Sequence, residues 1–299
     1  MKWIAAVALA AAVLVAPPAR SLGAQGDGAP RGALFIVGGG PQPQSLVQEF
    51  VTLAGGTGRA RIVVFAMASA NGAASGEDKA RSLRAMGVDA ENVWVERSGA
   101  DDSAVVRRVR EATGIWFGGG DQSRLTAALA GSKTAAAIAA RYREGAVVGG
   151  TSAGAAVMSA VMITGGERHP GGVRPDTAVA FGVVMRDNVV TTDGFSLISN
   201  AIIDQHFLRR RRHNRLISLV LERSPHLGVG IDESTALVVE AGGAWRVLGE
   251  SVAVIYDARR AEVTANGSTL GASGVTMHVL PAGSRFEPAT GRATLPTRP

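Results

Sequence analysis

The first regular pattern along the chain is an apolar run, Ala33 to Val37, that ends in Gly38-Gly39-Gly40 and gives way to a stretch with Leu46, Val47, Phe50 and Val51 on one helical face. The alternation continues with a strand at Arg61 to Phe65, a helix at Asp78 to Met86, a strand at Val93 to Glu96 and a helix at Ser103 to Ala112. Gly114 to Phe117 is the next strand and runs into Gly118-Gly119-Gly120. Two helical segments then precede a strand at Ala146 to Val148. Short apolar strands without polar interruption are buried on both faces. The pattern therefore predicts an α/β fold: a mainly parallel, doubly wound sheet with helices on both faces. Ligands of such sheets bind beyond the carboxyl ends of the strands, which is where the Gly-rich turns fall.

After residue 224 the spacing changes. Leu227 to Ile231, Ala236 to Glu240, Trp245 to Leu248 and Ser251 to Tyr256 read as strands with little room for helices between them, which predicts a C-terminal antiparallel extension. From Thr264 onward Gly, Ser, Thr and Pro surround one apolar run, Val275 to Leu280, and the final ten residues read as mobile.

The start of the chain has a different character. Lys2, the apolar stretch Ile4 to Ala16 and the break at Pro17-Pro18 before Ala24 form a secretory signal pattern, with cleavage expected after Ala24. That stretch is about 13 residues, short of the ~20 that cross a bilayer as a helix, so no membrane association is expected once the leader is removed. The expected organisation is a signal peptide at 1–24, a flexible start at 25–32, one domain at 33–263 and a β extension with a mobile tail at 264–299. Export places the mature chain in the periplasm or outside the cell.

Composition narrows the chemistry. With 46% hydrophobic residues in 299, the chain can bury a large core and is too apolar for disorder. It contains no cysteine, which removes thiol nucleophiles, disulfides, lipidated cysteines and Cys-based metal sites. The net charge of +6 includes Lys2 and Arg20 of the leader, so the mature chain carries about +4, too little to argue for nucleic acid. His169 lies near Glu167, but no second ligand pair has useful spacing, so neither a metal nor another cofactor is expected.

The strongest local signal is Gly149-Gly150-Thr151-Ser152-Ala153-Gly154-Ala155, a G-x-S-x-G pattern between a buried strand and a helix rich in Ala, Val and Met. A serine on a sharp strand-to-helix turn has its Oγ forced outward, small neighbours avoid clashes, and the helix N-terminus lies beside the developing oxyanion. In a Gly-rich chain the same pentapeptide can be an ordinary turn. A nucleophilic serine needs a base, and of the five histidines His206 stands out, directly after Ile202-Ile203 in Asp204-Gln205-His206-Phe207. A hydrogen-bonded structural histidine is the alternative. Glu233, ending the strand Gly230-Ile231-Asp232-Glu233, is the candidate orienting carboxylate. The order Ser, His, acid differs from the Ser, acid, His order of α/β-hydrolases.

The run Arg209 to Arg212, with Arg215, is the most basic part of the chain. Helical spacing puts Leu208, Arg212, Arg215, Leu216 and Leu219 on one face, so Arg212 and Arg215 share the apolar side while Arg209 and Arg211 are solvated. Arginines turned into the protein need an anionic partner, either a substrate carboxylate or a buried acid.

Together these residues resemble the cyanophycinase group of serine peptidases, peptidase family S51, on a class I glutamine amidotransferase-like scaffold with serine in place of cysteine. Four segments carry the resemblance: Phe117-Gly118-Gly119-Gly120-Asp121-Gln122; Gly150 to Ala155; Asp204-Gln205-His206-Phe207 with Arg210, Arg212, Arg215 and Leu216; and Gly230-Ile231-Asp232-Glu233 with Thr235-Ala236-Leu237. The resemblance implies Ser152 as nucleophile, His206 as general base and Glu233 as its orienting acid. It implies an oxyanion hole from the amides of Ala153 and of the Gly118 to Gly120 loop, Gly119 being the candidate in that loop. It also implies that Gln122, Asp204, Gln205, Arg210, Arg212 and Arg215 line the substrate pocket, Arg210 on this ground alone. The implied substrate is cyanophycin, a polyaspartate with arginine on each β-carboxylate, or another β-aspartyl peptide, and the implied products are β-aspartyl-arginine dipeptides. A homodimer is compatible with the sequence. Two turns depart from the family pattern, Pro41-Gln42-Pro43 and Ala66-Met67-Ala68-Ser69, both at the ligand edge. An aspartyl dipeptidase of the related peptidase E type and a non-catalytic exported binding protein are the alternatives.

Overall fold

The computed structural model describes residues 29–169, 172–175, 181–223 and 226–297. The leader expected at 1–24 lies outside them. The first half of the chain is β1 (Leu34–Val37), α1 (Gln44–Leu53), β2 (Arg61–Phe65), α2 (Gly72–Arg84), β3 (Asp89–Asn92), α3 (Ser103–Glu111), β4 (Gly114–Phe117), α4 (Gln122–Leu129), α5 (Lys133–Glu144), β5 (Val147–Thr151) and the short α6 (Ala153–Ala156). The second half is β6 (Val161–His169), β7 (Gly172–Pro175), β8 (Val189–Asp193), β9 (Ala201–Gln205), α7 (His213–Glu222), β10 (Leu227–Ile231), β11 (Thr235–Val239), β12 (Trp245–Gly249) and β13 (Val252–Asp257). It ends with β14 (Glu262–Val263), β15 (Ala272–Ser273), β16 (Thr276–Pro281), β17 (Arg285–Glu287) and β18 (Arg292–Thr294).

The central sheet has the order β18-β17-β12-β11-β1-β5-β4-β2-β3. Strands β1, β5, β4, β2 and β3 are parallel, and β11 begins an antiparallel run on the other side of β1. Alternate residues of β1 face opposite layers, as the pleat requires. Leu34 and Ile36 join a core with Val105, Val109, Leu125 and Ile138 from α3, α4 and α5, while Phe35 and Val37 join Leu46, Phe50, Ala80 and Leu83 from α1 and α2. This is the mixed α/β architecture with helices on both faces that the hydrophobic pattern predicts.

Three elements depart from the sequence expectation. Strand β3 is the polar segment Asp89–Asn92 rather than Val93 to Glu96. It is an edge strand with one neighbour, β2, so it needs few apolar residues, and Val93 is buried just past its end. Helix α2 starts at Gly72, ahead of Asp78, because its glycines serve close packing: a Cβ at Gly76 would lie 2.0 Å from Asn92 Oδ1. Strand β10 pairs in parallel with β9 and antiparallel with β13 in a second sheet, β16-β13-β10-β9, so the C-terminal strands divide between two sheets. That division positions His206, which directly follows β9, beside the carboxyl edge of the central sheet. Strands β16 and β17 pair with β13 and β12, and β18, within the last ten residues of the chain, pairs with β17.

Phe50 is fully buried where α1 meets the sheet, with ring centroids 5.8 Å from Phe35 and 4.9 Å from Trp116. Truncating it leaves a cavity that flanking β-strands cannot close. Phe50→Ala is expected to cost about 3–5 kcal/mol in denaturant unfolding, and a cost near zero would contradict this account of the layer.

Candidate active site

Ser152 stands at the end of β5, where the chain turns abruptly into α6, and its backbone has φ 55° and ψ −113°. A non-glycine residue at positive φ carries conformational strain, tolerated here because the surroundings fix it. The Ser152 amide donates to the Val37 carbonyl at 3.1 Å, and Gly150 and Gly154 leave room on either side. A Cβ at Gly150 would meet the Gly154 carbonyl oxygen at 2.4 Å, and one at Gly154 would meet that of Phe117 at 2.2 Å. The spacing of G-x-S-x-G follows from those contacts. Helix α6 is only four residues long, shorter than its Ala, Val and Met content suggests. Just past it the chain is tied to β9 through Ser159, whose hydroxyl accepts from the Ile203 amide at 2.9 Å. So short a helix has little dipole, and stabilisation of an oxyanion falls to individual amides.

His206 and Glu233 meet Ser152 in a linear relay. Ser152 Oγ is 2.8 Å from His206 Nε2, and His206 Nδ1 is 2.6 Å from Glu233 Oε1. The carboxylate accepts a hydrogen bond from Nδ1–H, which leaves the Nε2 lone pair as an acceptor for the serine hydroxyl. His206 also has positive φ, 49°, as does Ser234 next to Glu233, 53°. Of the other described histidine side chains, His213 is bonded to Tyr256 and His226 to the Arg223 carbonyl. The side chain of His169 lies outside the described residues. Among the described residues no cluster of His, Asp and Glu is arranged to hold a metal.

Consecutive carbonyls at the end of β1 and just past it hold Ser152, His206 and the residue after Glu233. Val37 accepts from Ser152, Gly38 from His206 at 2.6 Å, and Gly39 from Ser234 at 2.9 Å. Asp232 was not singled out by sequence reasoning, yet its Oδ1 accepts the amides of Leu208 and Arg209 at 3.1 and 3.0 Å and so secures the turn after His206. Its place beside Glu233 at a strand end was the available signal. Of the Gly118 to Gly120 loop, the Gly118 amide is engaged by Phe65 at 2.8 Å, whereas a Cβ on Gly119 would lie 3.5 Å from Ser152 Cβ. Gly119 and Ala153 thus flank Ser152.

The arginine cluster is not a helix face throughout. Residues 207–212 form turns, α7 begins at His213, and Leu208 is exposed, so the expected single apolar stripe is corrected. Arg212 is buried by the turn geometry instead. Arg215, 1% exposed, pairs with Asp204, also 1% exposed, through both carboxylate oxygens, with Nε to Oδ2 at 2.7 Å. Arg212, 4% exposed, donates from Nη1 to the backbone and side-chain oxygens of Gln205, each at 2.7 Å. Of the two partners that the sequence allows, the structure therefore supplies an internal acid. Gln122 donates to the Ile163 carbonyl at 2.7 Å. Arg210 is exposed, close enough to His206 to affect its charge.

The His206 pKa lies below the ordinary histidine value, first because burial disfavours the imidazolium and then because Arg210 and Arg212 repel it; the Glu233 hydrogen bond opposes both. A neutral base is therefore available below pH 6.5, and the acid limb of kcat/KM is expected below that value. Removing a repelling cation eases protonation, so Arg210→Ala should move the limb toward higher pH. A limb that stays put, or moves the other way, would contradict this electrostatic assignment. Asp204→Ala breaks the buried pair with Arg215 and is expected to cost about 3–5 kcal/mol of stability, measured by denaturant unfolding.

The model of peptidase family S51 matches residues 34–247. A cyanophycinase of Nostoc sp. (strain PCC 7120) is 33% identical over 282 residues, 90% of this chain and 89% of its own length. A cyanophycinase of Geminocystis herdmanii (strain PCC 6308) is 31% identical over 87% of this chain and 95% of its own length. Among solved structures, a peptidase from an acI-B1 Actinobacterium superposes with a TM-score of 0.60 at 22% identity, covering 85% of this chain and 98% of that one, which shows a shared fold. On the matched span and the full-length likeness, the chain belongs to peptidase family S51 and is a serine-type peptidase.

Proposed function

We propose that the chain is an exported cyanophycinase that hydrolyses multi-L-arginyl-poly-L-aspartate to β-aspartyl-arginine dipeptides through a Ser152–His206–Glu233 triad. The observation that carries the reading is the 2.8 Å and 2.6 Å relay, on a chain whose full-length relatives are named cyanophycinase.

In the reaction, Ser152 Oγ attacks the scissile carbonyl carbon while His206 Nε2 takes the hydroxyl proton. The negative charge that develops on the carbonyl oxygen is met by the amides of Gly119 and Ala153. The tetrahedral adduct collapses, His206 gives its proton to the departing amine, and an ester remains on Ser152. Water, deprotonated by His206, then releases the acid and restores the serine. Glu233 holds the imidazole in the required tautomer and stabilises the imidazolium.

Recognition is divided by burial. Arg210 is the exposed cation beside the triad and meets a substrate carboxylate, while Gln122 and Gln205 line the floor. Asp204, Arg212 and Arg215 form the layer beneath and hold Gln205 and the turn that carries His206. Arginine suits that layer because its planar fork engages two acceptors at once, as on Asp204 and Gln205, which lysine cannot do.

Export rests on the pattern at 1–24, and among the described residues no helix is long and apolar enough to cross a membrane. The mature N-terminus, sequenced from exported protein, should lie near Gln25; intact Met1 on active protein from the cytoplasm would overturn export.

Purified protein should degrade cyanophycin to dipeptides, and Ser152→Ala should reduce turnover to near background, a loss on the order of 10⁶ for a triad that acts as a unit. Comparable rates on cyanophycin and on α-linked dipeptides beginning with Asp would favour an aspartyl dipeptidase instead. No hydrolysis of either by folded protein would favour a binding protein.

A further inference from the structure

The turn after β1 supports the triad with its backbone, and its far end is tied to the body of the protein by one bond between side chains. Gly39 and Gly40, at φ 107° and 70°, lie against the catalytic pair: a Cβ on Gly39 would be 2.3 Å from the His206 ring, and one on Gly40 would be 2.7 Å from Glu233 Cβ. The Pro41 carbonyl accepts from Ser234 Oγ at 2.9 Å. A displacement of this turn therefore reaches the imidazole and its carboxylate directly. Next comes Gln42, whose Oε1 accepts from Lys79 Nζ on α2 at 2.8 Å. Pro41 and Pro43 flank Gln42, and their fixed φ angles stiffen the segment that this bond holds.

Lys79 is partly buried in that place. Its Nζ lies 4.3 Å from the centroid of the buried Trp116 ring, and burial lowers its pKa to about 8. A methionine could cover the same indole without desolvating a charge. The ammonium therefore sits partly buried between the indole face and Gln42, where it can hold the segment that Gln42 belongs to.

We propose that Gln42 and Lys79 are positioning residues for the peptidase reaction: their bond fixes the Gly38–Pro41 turn against His206 and Glu233, and thereby the attack geometry of Ser152. The inference rests on the triad reading above. Neither residue touches the reacting atoms, so the effect falls on kcat rather than KM.

The test uses the mature full-length chain with Gln42→Leu, Lys79→Met, Gln42→Glu and Ser152→Ala. Two readouts are taken: kcat and KM on cyanophycin, and the rate of labelling by a fluorophosphonate. In labelling, the serine Oγ attacks phosphorus, fluoride leaves and His206 accepts the proton, so no peptide substrate is needed. Gln42→Leu and Lys79→Met should each lower kcat and the labelling rate about tenfold, because small misplacements of a catalytic group are expensive in rate. KM should stay within about twofold, the double variant should lose no more than either single one, and the melting temperature of Lys79→Met should hold or rise. Gln42→Glu keeps an acceptor for the ammonium and should retain activity. Labelling and kcat within about twofold of the native protein in both Gln42→Leu and Lys79→Met would overturn the proposal, as would losses that track falls in melting temperature. Labelling that persists in Ser152→Ala would instead overturn the serine assignment beneath it.

Discussion

The contact between Ser152 Oγ and His206 Nε2 is the constraint around which the rest is arranged. The two residues are 54 positions apart and belong to different sheets. Ser152 ends a strand of the central sheet, and His206 follows a strand of the second one. Their hydrogen bond requires the carboxyl edges of those sheets to meet. The single strand end of β1 makes that meeting possible, because its consecutive carbonyls accept the amides of Ser152, His206 and Ser234. The end of one strand and the turn after it thus keep Ser152, His206 and the segment carrying Glu233 in register.

That arrangement has a conformational cost, visible in the left-handed backbone of Ser152 and His206, and of Ser234 beside Glu233. Non-glycine residues in this region are uncommon and cost on the order of 1–3 kcal/mol each. The surrounding polar contacts, buried at Asp204 and Gln205 and more exposed at Asp232, offset the strain. Arg215 on Asp204, Arg212 on Gln205, and Asp232 on the amides of the following turn hold the backbone on both sides of His206. Buried arginines in a pocket wall are often read as ligand contacts, but here their neutralising partners are internal. They act on the position of the turn, and Arg212 also favours the neutral form of His206.

The central sheet was legible because buried parallel strands are written as uninterrupted apolar runs, as in β1, β2 and β4. Strand β3 was missed for the opposite reason, since an edge strand with the sequence Asp-Ala-Glu-Asn has no apolar signature. The early start of α2 was hidden by glycines that composition reads as a turn and that packing against Asn92 and Trp94 demands. Ser152, His206 and Glu233 could be singled out because each follows a strand that is readable in itself, and the structure brings them together. Partner choice within the arginine cluster was not legible. Helical spacing placed Arg212 correctly inside, but by the wrong element, and no periodicity tells an internal acid from a substrate. The second sheet, which joins β9 in parallel to a strand more than 20 residues later, is a long-range pairing that local pattern does not encode.

The most direct measurement is the location of a covalent adduct. Native protein treated with an excess of fluorophosphonate and then digested should carry one adduct per chain, on the peptide that contains Ser152, and protein unfolded before treatment should carry none. The hydroxyl of a serine is unreactive unless the folded structure supplies a base at hydrogen-bond distance. An adduct on another serine, or equal labelling of folded and unfolded protein, would contradict a nucleophile activated by His206 and Glu233.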